Sequence, residues 1–498
     1  MGRVMTGRVH TRLGVAVAVI GVVISVGPTL IASPAAFAGA VPPRPTAPLA
    51  RPSPPVVASA TLIGRSELDP AGLYFVSYDG LVNNDSFQQD GIFTHAGFQY
   101  AAWYTADRGA VVARRRLPSG GWEKVVLQHK LSTDDSHNVI SLGVSPSDGR
   151  LHVAMDAHNS TIFYVRSVAE LMSRPDTTPW SPQSFGAVQR TFDGLDLGAI
   201  SYPQFAITPE KRLQFSYRTG GSGNGTNEIV EYDGGAWRRV GRWSSATGSF
   251  TAANGVVSTT RNMYLHGFGY GPNGRLHAAF TWREGNLGVL CAPGGLSNHD
   301  IGYVYSDDHG RTWRNTGGQV VGTTGGAPVS VGSPGIVVDR IDENRGLMNQ
   351  ESQAVDSTGA PHVIASYVPE QLVPCVTAYQ ADRIRDGRTF HLVLGADGRW
   401  TTRELPVATG STQRSKIVFD RDDTAYVIMP FGRIVAATRA SGWTDWTVLF
   451  DDPALNVFGE VLVDTSRLAG ENVLSVMYQE SSTGTTPSPV WVADFRVG

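Results

Sequence analysis

The chain has 498 residues, 41% hydrophobic and 17% charged, with a formal net charge of −3. So even a balance excludes a basic nucleic-acid surface. Its 57 glycines, 29 prolines and 11 tryptophans suit many short strands joined by turns better than long helices.

At the N-terminus, Arg3, Arg8 and Arg12 precede an apolar run over residues 13–31, and Ala36-Phe37-Ala38 forms a small-x-small cleavage site. Residues 1–38 therefore read as a secretory signal peptide, with an uncleaved anchor as the rival reading, and the expected location is extracellular. Residues 39–58 hold seven prolines and read as an extended linker.

From residue 59 onward one pattern recurs, a turn followed by an apolar strand. It falls at residues 98–103, 151–155, 213–217, 276–282, 361–367, 425–429 and 473–478. The starts lie 53, 62, 63, 85, 64 and 48 residues apart, room for four strands and their loops in each unit. Helical periodicity is almost absent. The expectation is an all-β fold, a seven-bladed β-propeller over residues 59–498. The longest insertion lies around residues 285–335.

The stretch between Asp135 and Asn159 carries the densest chemistry. His137 and His158 stand 21 residues apart around the turn signal Ser147-Asp148-Gly149. Strict alternation from Leu151 predicts one strand with His152, Asp156 and His158 on a single face, lining a wet cleft. Further clusters follow at Ser201-Tyr202-Pro203-Gln204 with Arg218, at Arg261 to His266 around Tyr264, and at Asn349-Gln350-Glu351. In a propeller such loops converge on one channel mouth. That mouth would hold His137 and His158 from one unit, Tyr202 and Arg218 from the next, and Tyr264 from a third.

Such a set meets the needs of β-elimination on a uronic acid. An arginine fork neutralises the carboxylate, a neutral imidazole or tyrosinate takes the C5 proton, and tyrosine or histidinium protonates the leaving oxygen. Glycoside hydrolysis usually needs two facing carboxylates. No obvious pair stands out, with Asp134, Asp135, Asp156 and Glu351 as spare candidates. The two cysteines, Cys291 and Cys375, either form a disulfide or join a metal site with a histidine such as His299. Ser306-Asp-Asp308-His-Gly310-Arg-Thr312-Trp313 resembles the Asp-box, a hairpin turn of sialidase-like propellers that signals fold and not catalysis.

The string from His137-Asn138 through Ser141, Gly143, Asp148-Gly149, His152 and Asp156-x-His158 to Tyr164 resembles the BNR-repeat propeller family. That family includes lyases acting on ulvan and on rhamnose–glucuronate linkages. The likeness continues through Tyr202, Arg218, an Asn298-His299-Asp300 turn and Asn349-Gln350. It implies a secreted polysaccharide lyase, with Arg218 neutralising the substrate carboxylate and His137, His158 and Tyr202 sharing acid and base duties. Asn138, Tyr264, Asn349 and Gln350 become the substrate-binding set. It implies a uronate-containing polysaccharide as partner, no cofactor for the chemistry, and a structural Ca or Zn ion whose ligands are unassigned. A monomer without nucleic-acid or stable membrane partners is expected. A non-catalytic carbohydrate-binding propeller and a sialidase-like hydrolase are the alternatives.

Overall fold

The computed structural model describes residues 58–87, 90–285, 291 and 297–498. The expected signal peptide and all but the last residue of the linker lie outside the described residues. Among the described residues the strands fall into seven antiparallel sheets. The seven recurring segments are the counterparts of one another, each pairing with the strand at which its sheet meets its neighbours.

Phe98–Tyr104, buried at all seven positions, shows why the repeats read as continuous apolar runs. Side chains alternate across the strand. Tyr100, Ala102 and Tyr104 pack on Leu142 and Val153 of the second sheet, while Ala101 and Trp103 pack on Met477 and Val492 of the last. The same division recurs in the sixth sheet. Ala425 and Val427 face Ile364 behind, and Tyr426 and Ile428 face Val476 ahead. Apolar clusters fill the remaining interfaces between successive sheets in the same way. Each sheet is thus covered on both faces, and the first packs on the last.

Ring closure uses both ends of the described chain. Ala60–Gly72 pairs antiparallel with Ser488–Val497, from Ala60 opposite Val497 to Gly72 opposite Ser488. Polar stitches join the first sheet to the last: Arg115 donates to Asp494 at 2.9 Å and Ser66 at 2.8 Å, and Gln99 to Asp464 at 2.8 Å. Thr465–Glu471 and Tyr379–Asp386 are short α-helices. No helix among the described residues is long and apolar enough to cross a membrane.

The turn after Asn298–Ser306 is built by side chains. Ser306 Oγ accepts the Gly310 N–H at 2.8 Å, and Asp308 Oδ1 accepts the Thr312 N–H at 2.7 Å. Trp313 stacks on Trp243 with centroids 4.2 Å apart.

Three sequence expectations change. The single strand expected to carry His152 through His158 ends at Met155; Asp156 turns with φ +53°, and His158–Thr161 joins the next sheet opposite Ala199–Ile207. His152 and Asp156 are buried instead of lining a cleft, because Phe205, Tyr232 and Trp237 of the next sheet pack on His152 while Asp156 turns toward His129 of the first sheet. His152 pairs with the Tyr164 hydroxyl at 2.7 Å, and Asp156 holds His129 at 3.0 Å. Asn298-His299-Asp300 begins a strand instead of making a turn. The cysteine alternatives resolve into a disulfide between Cys291 and Cys375. His299 is held instead by Glu284 at 3.0 Å and Asp300 at 3.2 Å.

Deleting residues 58–72 uncovers the edge of Ser488–Val497. The thermal unfolding transition is expected to fall by several degrees or lose its cooperativity in calorimetry. An unchanged transition would show that closure contributes no stability.

Candidate active site

The site is built on one carboxylate. Asp135 lies in the loop leading into Ile140–Ser145, where its Oδ1 accepts both the backbone N–H of His137 at 3.0 Å and the His137 Nδ1–H at 2.8 Å. Its Oδ2 accepts His158 Nδ1–H at 2.6 Å. An ionised carboxylate only accepts, so both imidazoles carry their proton on Nδ1 and keep a basic Nε2 while neutral. Their rings stack 4.4 Å apart at 22°. Burial, the neighbouring His158 and Arg414 bring the His137 imidazole down to about 4 although Asp135 pulls upward. Against burial, which would raise it, the two imidazole donors hold the Asp135 carboxyl far below the usual carboxylate range.

Tyr202 approaches both rings, with centroids 5.8 Å from His137 and 5.6 Å from His158. It sits at φ +58° in a bulge between Ser201 and Gln204, where the strand's register with Leu213–Gly221 shifts. A bulge re-aims a side chain, and a bulky residue in the left-handed region is a strain characteristic of functional sites. Phe87 packs on His137 at 5.5 Å and on Tyr202 at 5.3 Å. Burial and the neighbouring Tyr264 raise Tyr202 well above the usual phenol range, so it keeps its proton.

Arg218, 2% exposed, donates to Asn159 Oδ1 at 2.6 Å, Ser201 Oγ at 2.9 Å and the Tyr264 hydroxyl at 3.3 Å. Its guanidinium lies 4.8 Å from the Tyr202 ring centre. Arg283 also approaches Tyr264, 3.3 Å from its hydroxyl, and donates to Asn298 at 2.7 Å. Among the described residues neither guanidinium pairs with a carboxylate. A buried cation with only neutral partners is costly, and it is ready for an incoming anion. Burial alone would raise Tyr264; Arg283 and Arg218 reverse that and bring it down to about 8.

Gln350, at φ +54°, completes this wall. With Gln204, Tyr202, Arg218 and Tyr264 it lines a cavity of about 10 Å³, room for one water. Gln204 Oε1, Gln350 Oε1 and Arg218 Nε are buried without a partner among the described residues. The structure therefore brings His137, His158, Tyr202, Arg218, Tyr264 and Gln350 together. Asn138 and Asn349 are buried in the supporting structure. Asn138 donates to Thr133 Oγ1 at 3.0 Å, and the Asn349 carbonyl accepts Arg414 Nε at 2.9 Å. Arg414 is anchored on Glu460 at 2.9 Å.

Sequence reasoning missed Arg283, Asn159 and Phe87, and held Asp135 only as a spare carboxylate. The pair of histidines was the available signal for Asp135, since a neutral imidazole is usually oriented through its second nitrogen. Among the described residues, Asp135, His137 and His158 are the one group whose ligand atoms lie close enough for a metal ion. Both Nδ1 atoms there are already committed to the carboxylate, and the disulfide leaves no thiolate for zinc.

An acid–base cluster beside an anion-receptive arginine, mounted on an all-β ring of sheets, is the class that this geometry defines. The chain belongs to the BNR repeat-containing family, which it matches over residues 98–408, more than half its length. It is similar to the long isoform of ulvan lyase from Pseudoalteromonas sp. (strain PLSV), 23% identical over 57% of this chain and 32% of that protein. The short isoform from Alteromonas sp. (strain LOR) is 24% identical over 47% of this chain and 52% of that protein. The chain thus spans between about a third and a half of these relatives' lengths. Among solved structures, the polysaccharide lyase Uly1 superposes with a TM-score of 0.66 at 16% identity, covering 88% of this chain and 99% of that one. A PL25 ulvan lyase bound to -[GlcA(1-4)Rha3S]- gives 0.61 at 11% identity, covering 87% and 95%. At these identities the superpositions show a shared fold.

The two cations flanking Tyr264 predict a phenolate absorbance that grows in with a midpoint near 8. Tyr264→Phe should remove that step, and Arg283→Ala should move it to higher pH, because losing a cation disfavours the phenolate. A single midpoint at the ordinary phenol value in the wild type would contradict the arrangement.

Proposed function

We propose that the seven sheets form a seven-bladed β-propeller and that the protein is a secreted, monomeric polysaccharide lyase. It would cleave a uronic-acid-containing chain, of ulvan or rhamnose–glucuronate type, by β-elimination. The observation that carries this reading is the buried Arg218, partnered only by neutral groups, facing a tyrosine and two histidines oriented by one carboxylate. Family membership and the ulvan lyase relatives support it.

In this mechanism Arg218 receives the uronate carboxylate and acidifies the C5 proton. An imidazole Nε2 of the His137–His158 pair takes that proton. As the C5–H electrons form the C4=C5 bond, the C4–O4 bond breaks and its electrons leave with the oxygen. Tyr202, whose phenol burial keeps protonated, donates to that oxygen. The spare carboxylates named from the sequence are engaged, which disfavours the hydrolase alternative, and Asp134 pairs with Arg108 at 2.6 Å. Asp135 is engaged by both histidines, Asp156 by His129 and Ser132, and Glu351 by the backbone N–H of Ser366.

Incubation with a panel of uronate polysaccharides, including ulvan and gum arabic, should produce ultraviolet absorbance from the conjugated C4–C5 double bond. Arg218→Ala and His158→Ala should each lose on the order of a hundredfold in rate, about 3 kcal/mol, while keeping the wild-type fold by circular dichroism. Near-wild-type turnover in either variant removes that residue from the mechanism. Saturated reducing ends would mean hydrolysis, and saturable binding without product would mean a binding module.

The chemistry is proposed to need no cofactor, and a Ca or Zn ion, where bound, would be structural. Turnover is expected to survive exhaustive chelation at temperatures well below unfolding. Loss of activity restored by adding Ca or Zn would assign the ion to the site.

A further inference from the structure

We propose that Tyr78 is the platform on which a pyranose ring of the bound polysaccharide stacks, and that it sets binding strength next to the reacting residue. The inference takes from the lyase reading only where the reacting sugar lies; the platform itself rests on the following geometry. Ser77 and Gly80 close a two-residue hairpin turn, with the Gly80 N–H donating to Ser77 O at 2.9 Å and the Ser77 N–H to Gly80 O at 3.2 Å. The two central residues are Tyr78 at φ +49° and Asp79 at φ +66°. Two consecutive positive φ angles are the type I′ pattern, whose favoured pair is Asn-Gly. A tyrosine in the first central position is locally unfavourable, so the fold keeps it there against its backbone preference.

The surroundings make this turn rigid. The Ser136 N–H donates to Ser77 Oγ at 2.7 Å and Ser136 Oγ to Ser77 O at 2.8 Å, tying the turn to the residue between Asp135 and His137. Gln380 donates to the Asp79 carboxylate at 2.9 Å, and Gln413 to its carbonyl. Gly80 admits no side chain, because a Cβ there would run into the Asp85 carboxylate. On this base the Tyr78 side chain stands 71% exposed, with its ring centroid 4.6 Å from His137 and 6.4 Å from His158 in edge-on contact.

A large exposed aromatic at the rim of a polar acid–base cluster is not explained by core packing. An aromatic face takes the apolar C–H face of a pyranose, while the phenol hydroxyl at the far edge stays in water. Arg218 then anchors the carboxylate and Tyr78 the ring plane. Tyr78 lies outside residues 98–408, the segment matched to the family.

The test separates stacking from a structural role. Asparagine tolerates the left-handed conformation better than tyrosine, so Tyr78→Asn in the full chain should melt at or above the wild-type temperature. Its KM for ulvan should nonetheless rise about tenfold with kcat held within about threefold. Tyr78→Trp should bind as the wild type does. In a His158→Ala background, calorimetric titration with ulvan oligosaccharides reads binding without turnover, and Tyr78→Asn should weaken it about tenfold. Unchanged binding in Tyr78→Asn, or a lowered melting temperature accompanying the loss, overturns the proposal. If the wild type binds ulvan but releases no unsaturated product, the lyase reading fails, and the binding comparison still decides Tyr78.

Discussion

The antiparallel pairing of Ala60–Gly72 with Ser488–Val497 is the constraint on which the rest of the molecule depends. A sheet buried on both faces needs a neighbour on each side, and a linear stack would leave two apolar faces open to water. Joining the chain's first described strand to its last makes the terminal sheet complete and lets it cover Ala101 and Trp103 of the first. The Arg115–Asp494 and Gln99–Asp464 bonds hold that seam in register. The site draws on loops and strand ends of successive sheets, so its geometry is only as fixed as the ring that sets their spacing.

Within that frame the site concentrates local costs. Tyr78, Asn159, Tyr202 and Gln350 all adopt positive φ around one cleft. Among the described residues Arg218 is buried without an anionic partner, and Arg414 is held by Glu460 and by the Asn349 carbonyl. Burial also brings the Glu351 carboxyl up to about 7. Strain and unpaired charge of this kind persist only where surrounding structure over-determines them. The packed interfaces between the seven sheets supply that stability.

Asp135 shows how few groups this requires. One carboxylate sets the tautomer of two imidazoles, and the same charge favours whichever of them becomes protonated. Placing both histidines on one acceptor also keeps them within reach of Tyr202, so the three rings form a contiguous unit. The two guanidiniums stand on the Tyr264 side, and among the described residues neither pairs with the Asp135 carboxylate.

The repeat of apolar segments, their number and the all-β class were legible in the sequence, because alternation and turn chemistry act over a few residues and recur in every unit. His137, His158, Tyr202 and Arg218 were legible as a group because motif strings place them near strand ends, and Tyr264 through its spacing after Arg218. Tertiary structure alone decided which strand carries His158, since the left-handed break at Asp156 moves it to the next sheet and turns a predicted wet face into a buried one. It alone showed that Asn138 and Asn349 are buried, that the cysteines pair with each other, that Arg283 reaches Tyr264 and that Tyr78 lies against His137. Those facts depend on contacts between residues tens to hundreds of positions apart, set by the angle and stagger of packed sheets, and local sequence pattern carries no record of either.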